Sequence, residues 1–233
     1  MKTIVSTEDE WLDRAAEQVC RVLQDKPDTV IALSAEDDCL RLYDALAEDC
    51  ARSELSFSKA HFFAVTEFEG LSESASESCR SRLSAFLRKI DAPEDACVFL
   101  SETNWSDYDA LIASAGGLDL AILGLGVNAR IGFNEPATPF DSRTHRQKLT
   151  PATHRELAGL FGGEELVPAY GLTMGIKTLV EAKEILLVAS GEQRAKAVFD
   201  LLYGRDDSVV PAAFLQIPLN VTLCLDEMAA SKL

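Results

Sequence analysis

Short runs of apolar residues recur along the chain, and most are followed by a stretch in which apolar residues return every three or four positions. The runs cover residues 29–33, 61–65, 97–100, 118–123, 185–189 and 221–225. Short runs that are apolar on both faces are typical of strands buried in a parallel sheet. The pattern therefore predicts a buried strand at each run.

The stretches between the runs predict amphipathic helices. Residues 7–10 read Thr-Glu-Asp-Glu, a capping-box pattern that predicts the start of a helix whose apolar stripe begins at Trp11. Further helices are predicted around Tyr43, around Leu83 and after Glu192. Alternating strands and helices predict an α/β fold, with a mostly parallel sheet and helices on both faces. Since no repeat or low-complexity linker interrupts the alternation, we expect residues 1–233 to form one domain.

Composition supports a packed globule and restricts its location. The 233 residues are 47% hydrophobic, which is enough for a full α/β core. No apolar run approaches the length of a membrane span, and the acidic, amphipathic segment that follows residues 1–3 is unlike a signal peptide. The six cysteines are scattered without a Cys-x-x-Cys pair. Their spacing predicts reduced thiols in a cytoplasmic protein, with no zinc site and no disulfide frame.

The chain carries a formal net charge of −16. Such a charge repels nucleic acid and anionic membranes, so neither is expected as a partner. The simplest consequence of the charge is solubility. A phosphorylated ligand would need basic residues concentrated at its site.

The most informative segment is residues 123–136, Leu-Gly-Leu-Gly-Val-Asn-Ala-Arg-Ile-Gly-Phe-Asn-Glu-Pro. It follows the predicted strand 118–123. Gly124 and Gly126 allow a sharp turn and a close approach to a ligand. Polar side chains then follow at Asn128, Arg130, Asn134 and Glu135. Open α/β sheets bind ligands at the carboxyl ends of their strands, so this segment is the predicted site.

This segment resembles the signature of the glucosamine-6-phosphate and galactosamine-6-phosphate isomerase/deaminase family. Further matches fall in the family order at residues 142–144, 149–150, 173–175, 185–189 and 191–195. The related 6-phosphogluconolactonases, which are hydrolases, share the Gly-x-Gly half of the signature but not its Asn-Glu-Pro ending. The resemblance implies the isomerase/deaminase fold, a role in amino-sugar or carbohydrate metabolism, and a small-molecule sugar or sugar phosphate as partner. It implies no cofactor or metal, and it makes a homo-oligomer possible.

The family holds its phosphate on a loop after the first buried strand. Here that loop is Ser34, Ala35 and three consecutive acids at 36–38, without a glycine. One carboxylate about 4 Å from a phosphate charge costs roughly 4 kcal/mol at an intermediate dielectric. Acids in a first helical turn also favour the helix dipole, and that structural role is the expected one. Phosphate is therefore not expected to bind to this loop as it does in the family.

The family places the base that moves a proton between C1 and C2 just after the next strand. Thr66 stands at that position and Glu67 follows it. A threonine hydroxyl is no base near neutral pH unless another group activates it. Glu67 points away from Thr66 in an extended segment, so a solvent or loop carboxylate is its expected role.

The family opens the sugar ring with a histidine that an acid supports. Arg130 stands at the histidine position, Asn128 at the preceding acidic position, and Glu135 at the supporting acid. A guanidinium stays protonated and cannot shuttle a proton, although it can hold an anion. We expect Glu135 to form an ion pair with Arg130. Ala129 replaces a family glycine and adds a Cβ to a tight turn.

Two groups of basic residues are candidates for anion binding. Arg194 matches a family phosphate contact, whereas a second family arginine aligns near Gly159 and is missing. A dense basic run includes Arg143, Arg146 and Lys148. This run is either a solvated face or a funnel for anions beside the Asn-Glu-Pro loop. We expect an anion in the cleft to contact Arg130, Arg143 or Arg194 rather than residues 34–38. The histidines at 61 and 154 match no family site and are expected to be structural.

Two functions from different classes remain open. The first is an enzyme related to hexosamine-6-phosphate isomerase/deaminases that acts by proton abstraction next to a carbonyl. The second is a non-catalytic family member, a pseudoenzyme that senses a ligand or supports an oligomer. The changes at Thr66, Arg130 and residues 34–38 predict little standard activity on glucosamine 6-phosphate.

Overall fold

A computed structural model describes residues 1–52, 56–204 and 209–233. Seven strands form one parallel sheet in the order β1-β10-β9-β6-β2-β3-β5. They are β1 (Lys2–Ser6), β2 (Val30–Leu33), β3 (His61–Ala64), β5 (Cys97–Val98), β6 (Leu120–Gly124), β9 (Glu184–Ala189) and β10 (Val221–Asp226). The predicted α/β class with a mostly parallel sheet is confirmed.

Three short strands form a second, antiparallel sheet in the order β4-β8-β7. They are β4 (Thr66–Phe68), β7 (His145–Lys148) and β8 (Tyr170–Thr173). The apolar runs did not predict this sheet. β7 alternates half-buried and exposed residues and has none that is fully buried, so it lacks the apolar run of a core strand.

Seven α-helices are described. They are α1 (Trp11–Asp25), α2 (Asp37–Arg52), α3 (Cys79–Lys89), α4 (Tyr108–Ser114), α5 (Pro151–Phe161), α6 (Ile176–Val180) and α7 (Ala195–Tyr203). Alternate residues of each central strand point to opposite faces of the sheet. Ile31 and Leu33 pack with α1, α2 and α3, whereas Val30 and Ala32 pack with residues of α4, α6 and α7. Helices therefore cover both faces of the sheet, as predicted.

The beginning of the chain differs from the prediction. Residues 2–6 form edge strand β1, which the apolar pattern did not reveal because three of its five residues are exposed. The prediction of a capping box at residues 7–10 is wrong. The carbonyl oxygen of Thr7 accepts from the backbone N–H groups of Glu10 and Trp11, and α1 begins at Trp11 without a side-chain cap bond.

The strand order reverses at one point, between the neighbouring strands β6 and β2. The chain leaves these two strands toward opposite edges of the sheet. From β2 the chain proceeds to β3 and β5, on one side of the sheet. From β6 it proceeds to β9 and β10, on the other side. The loops after β2 and β6 therefore diverge and leave a crevice between them. Open α/β sheets bind ligands at such a crevice.

None of the described helices is both long enough and apolar enough to cross a membrane.

Candidate ligand-binding site

A cavity of about 560 Å³ opens at this crevice, and we refer to it as the Arg130 cavity. It lies where the carboxyl ends of the parallel strands meet. Its polar wall contains Glu36, Asp37, Thr66, Cys79, Arg82, Arg130, Glu156, Gln193 and Arg194, and its other lining residues are Ala35, Phe68, Val127, Phe133, Leu157, Gly159 and Leu160. Three carboxylates and three guanidinium groups thus share one cavity.

Arg130 is the central cation of the cavity, and only 1% of it is exposed. Its Nη1 donates to Glu36 Oε1 at 3.0 Å and to the carbonyl oxygen of Gly132 at 2.5 Å. Its Nη2 donates to Glu156 Oε2 at 3.3 Å. Burial by itself lowers the pKa of Arg130, but the carboxylates of Glu156, Glu36 and Glu135 outweigh it and raise the pKa above its ordinary value. Arg130 therefore stays charged and cannot transfer a proton.

The loop after β6 is shaped to accommodate the Arg130 side chain. A Cβ at Gly126 would lie 2.4 Å from Arg130 Cγ, so only glycine leaves room for the arginine stem. The guanidinium lies 5.7 Å from the centroid of the Phe133 ring. Ala129 adopts φ 59°, in the left-handed region that favours glycine, so the tight turn expected at this position is present.

Glu135 anchors the same loop to the start of α5. Its Oε1 accepts from Thr150 N at 3.0 Å and from Thr153 Oγ1 at 2.5 Å. Its Oε2 accepts from Thr150 Oγ1 at 3.0 Å and from Asn128 Nδ2 at 2.7 Å. The prediction of an ion pair between Glu135 and Arg130 is wrong. The threonine donors saturate the carboxylate, and Arg130 reaches Glu36 and Glu156 instead.

Thr66 lines the cavity, whereas Glu67 does not. Thr66 Oγ1 lies 3.4 Å from Cys79 Sγ, and burial raises the pKa of that thiol far above its ordinary value. Neither group is therefore a ready base or nucleophile.

Glu67 accepts from the backbone N–H groups of Phe68, Cys79 and Arg80 at 2.8–3.0 Å, and so it caps the start of α3. Burial raises the pKa of Glu67, although these bonds oppose the rise. The expected solvent or loop role of Glu67 is corrected to helix capping.

The acids at 36–38 each have a separate partner. Glu36 accepts from Arg130 and from the Ser34 hydroxyl, and Asp37 pairs with Arg82. Asp38 accepts from Ser190 N at 2.9 Å and from Ser190 Oγ at 2.5 Å, after β9. Burial raises the pKa of the Asp38 carboxyl against the effect of these bonds.

The other two predicted binding residues of this region lie close to Glu36. Ala35 faces the cavity, whereas Ser34 is fully buried behind it. A Cβ at Gly124, the last residue of β6, would lie 2.7 Å from Glu36 Cβ, so the glycine leaves room for Glu36 at the base of the crevice.

The two groups of basic residues separate in space. Arg194 lines the cavity, and its Nη1 donates to Glu156 Oε1 at 2.5 Å. Arg143 lies outside the Arg130 cavity and pairs with Glu181 and Asp109. Arg146 pairs with Glu69, also away from the cavity. Of these basic residues, the structure therefore brings Arg194, but not Arg143, together with Arg130.

The sequence analysis missed several residues of the cavity wall, above all Glu156, Arg82 and Gln193. Glu156 lies on α5, a helix that the apolar pattern did not predict. One signal for this helix was available: Thr150 precedes Pro151, and its hydroxyl accepts from Thr153 N as an N-cap. Within the described ranges, no group of three or more histidine, cysteine or acidic side chains is placed to hold a metal ion.

Comparisons with known proteins agree over nearly the whole chain. The family model described as glucosamine-6-phosphate isomerases/6-phosphogluconolactonase matches residues 6–223. A glucosamine-6-phosphate deaminase of Rhodopirellula baltica is 39% identical over 228 residues, which are 94% of this chain and 90% of that protein. One of Colwellia psychrerythraea is 36% identical over 229 residues, 95% of this chain and 85% of that protein. A solved structure described as a monomeric glucosamine-6-phosphate deaminase superposes with a TM-score of 0.96 at 32% identity, covering 100% of both chains.

Proposed function

This chain belongs to the family of glucosamine-6-phosphate isomerases and 6-phosphogluconolactonases, and from that premise we propose that it acts in amino-sugar metabolism on a hexosamine derivative bound in the Arg130 cavity. The observation that carries the proposal is the position of this cavity. It opens at the crevice between β2 and β6, and its wall contains Thr66, Arg130 and Arg194, which the sequence resemblance assigns to the family's site.

Any turnover must use acid–base groups other than those at the family positions. The Thr66 hydroxyl lies beside the Cys79 thiol, whose pKa burial raises, and Arg130 remains protonated. The carboxylates that face the cavity are Glu36, Asp37 and Glu156. We assign proton abstraction next to the sugar carbonyl to one of these three groups, and we assign Asn128 and Glu135 to holding the loop that carries Arg130.

A second candidate function is non-catalytic ligand sensing, and one observation favours it. The group at the ring-opening position is a buried guanidinium tied to two carboxylates and a backbone carbonyl. Such a group can bind and orient a ligand without taking part in proton transfer. Binding of a sugar without any product formation would support this second function over the first.

The expected partner is a small sugar molecule, with no nucleic acid and no membrane, and we propose a cytoplasmic location. The cysteines within the described residues are free thiols, which agrees with a reducing compartment. The homo-oligomer considered from the sequence stays a prediction, and light scattering of the purified chain tests it. The similar solved structure is described as a monomer.

The proposal is tested by thermal shift of the full chain with hexosamines, hexosamine 6-phosphates and sugar acids, each at millimolar concentration. A ligand stabilises the folded state by RT ln(1 + [L]/Kd), so even a weak ligand produces a measurable rise in Tm. Product analysis by NMR on the same mixtures separates an enzyme from a sensor.

Two variants of α5 locate the binding. Gly159 lines the cavity, and a side chain added there meets open space, so Gly159→Trp should fold and obstruct the cavity mouth. Arg155→Trp places the same bulk on an exposed position of the same helix, outside the cavity wall. We expect Gly159→Trp to abolish the ligand-induced rise in Tm and Arg155→Trp to retain it. Equal effects of the two variants would place the ligand elsewhere.

A further inference from the structure

Every guanidinium group in the wall of the Arg130 cavity is already neutralised by a carboxylate. Arg82 pairs with Asp37, and Arg194 pairs with Glu156. Arg130 is shared between Glu36 and Glu156 at 3.0 and 3.3 Å. The three cations and three anions of the wall therefore cancel, and no positive charge is left over for an anionic ligand.

Further acids lie just behind the wall. Glu135 raises the pKa of Arg130 by its charge, and Asp38 interacts with the charge of Arg194. Arg41 lies 3.9 Å from Asp38 and offsets part of its charge. The surroundings are thus anionic around a neutral wall, on a chain whose net charge is −16. A phosphate dianion entering the cavity would have to compete with Glu36 and Glu156 for the same guanidinium groups.

Two N–H groups of the wall arginines lack an acceptor in the described part of the chain. Arg130 Nε and Arg194 Nε are both buried, and neither has a hydrogen-bond partner among the residues that the structure describes. A buried donor without a partner is unfavourable, so the site gains from a ligand that brings an acceptor. A sugar hydroxyl supplies such an acceptor without adding negative charge. A protonated amine on the same sugar is favoured by the surrounding acids.

We infer that the Arg130 cavity takes hexosamines that carry no phosphate, and that Glu36 and Glu156 are the residues that exclude the phosphorylated forms. This inference rests on the proposed function, because it specifies the ligand class of the same cavity. Glu36 and Glu156 act by occupying Arg130 and Arg194. Removing their charge should therefore return these arginines to anion binding.

The first test measures Kd by calorimetry for glucosamine and for glucosamine 6-phosphate with the full chain. Glucosamine is expected to bind about tenfold or more tightly than its 6-phosphate, since like charges placed side by side are strongly unfavourable. Equal binding, or tighter binding of the phosphate, overturns the inference but leaves the proposed function standing. If neither sugar binds and no sugar of the wider panel raises Tm, the proposed function fails as well.

The second test uses Glu156→Gln, which keeps the shape of the side chain and one acceptor oxygen while it removes the charge. The double variant with Glu36→Gln extends the same change, and a thermal melt of each variant confirms that it is folded. We expect the ratio of the Kd for glucosamine 6-phosphate to the Kd for glucosamine to fall at least about tenfold. The control is Glu69→Gln, which also removes one charge but pairs with Arg146 outside the cavity.

A gain in phosphate affinity in the cavity variants and not in Glu69→Gln supports the assignment of Glu36 and Glu156. An equal gain in all the variants would reflect the net charge of the chain and would overturn it. An unchanged preference in the double variant would show that these two carboxylates do not select the ligand, and it too would overturn the assignment.

Discussion

Arg130 shows how strongly one buried side chain depends on partners far from it in the chain. Glu36 precedes Arg130 by 94 positions and Glu156 follows it by 26. The sequence placed Arg130 correctly at the end of a buried strand, because Gly124, Gly126 and the apolar run define that turn. The sequence alone could not identify the carboxylates that pair with Arg130. Glu156 lies on a helix with a weak apolar pattern, and Glu135, the nearer acid, proved to be saturated by threonines.

The ion pairs of Arg130 should make it important for stability. Arg130→Ala leaves Glu36 without its cation and Glu156 with Arg194 alone, and the free energy of unfolding should fall by about 3–5 kcal/mol. Arg146→Ala, which removes an exposed pair with Glu69, should cost about 0–1 kcal/mol. Urea unfolding measures both losses. A loss at Arg130 as small as that at Arg146 would mean that the buried network contributes little.

Gly126 gives a second prediction at this scale. Gly126→Ala places a Cβ against the stem of Arg130 and should destabilise the fold by about 1–3 kcal/mol. Gly159→Ala enters open space on α5 and should stabilise it by up to about 1 kcal/mol. Opposite shifts in Tm are therefore expected. A neutral Gly126→Ala would indicate that Arg130 can leave its position at little cost.

Little ammonia should be released from glucosamine 6-phosphate. By the sequence resemblance, Thr66 stands at the family's base position and Arg130 at its ring-opening position. Losing one positioned acid or base typically lowers the rate by ~10²–10⁴. A coupled ammonia assay measures this, with an active glucosamine-6-phosphate deaminase as the positive control. Turnover at about 1–10³ s⁻¹, the ordinary range for enzymes, would refute the prediction.

At the scale of elements, strands and helices with a long apolar pattern could be predicted from the sequence. Short elements with a mixed or polar pattern could not. The central strands and α3 appear where the sequence indicated them, because burial on both faces or along one stripe leaves a clear pattern. The small antiparallel sheet and α5 pack some apolar side chains against the core, but polar contacts add to their docking. Arg146 of β7, for example, lies 3.5 Å from the centroid of the Tyr170 ring in β8. Such contacts exist only once the tertiary structure brings the elements together.

The amino ends of three central strands meet at one carboxylate, Asp119. Its oxygens accept from Lys26 Nζ at 2.5 Å, Val30 N at 2.9 Å and Lys183 Nζ at 2.7 Å. Burial raises the pKa of Asp119, but the bonds from Lys183, Lys26 and Val30 outweigh it and hold the pKa below its ordinary value. Asp119 therefore ties the starts of β2, β6 and β9 together by charge.

The interactions of the Asp119 carboxylate predict that the stability of the fold depends on pH. A lowered pKa in the folded state means that the contribution is present above the unfolded pKa of about 3.9 and is lost as the pH falls through the folded value. Asp119→Asn should cost about 1.5–3 kcal/mol at pH 7 and progressively less below about pH 4. Urea titrations at several pH values measure the difference, with Asp44→Asn at an exposed pair as the control. A cost that does not vary with pH would show that charge is not the reason for it.

At the scale of the whole molecule, the cysteines report on compartment and packing. Cys39, Cys79 and Cys224 are buried, and the other three are half-buried. Burial raises the pKa of Cys97 to about 11, with help from Asp95 and Glu94, so even an accessible thiol is mostly protonated at neutral pH. We expect six free thiols in denatured, unreduced protein and slow reaction of the buried three in native protein. A missing pair in freshly purified protein would contradict this.

The pairing of the first strand with the last has a consequence for how the chain is made. Lys2 lies beside Thr222, and β1 has β10 as its neighbour in the sheet. At synthesis rates of about 5–20 residues per second, β1 leaves the ribosome roughly 10–40 seconds before its partner exists. During that interval the N-terminal segment waits unpaired beside an incomplete sheet. Its exposed Lys2 is the kind of residue that discourages pairing with a wrong edge. We therefore expect the weak apolar pattern that hid this strand from sequence analysis also to lower the tendency of the nascent chain to aggregate.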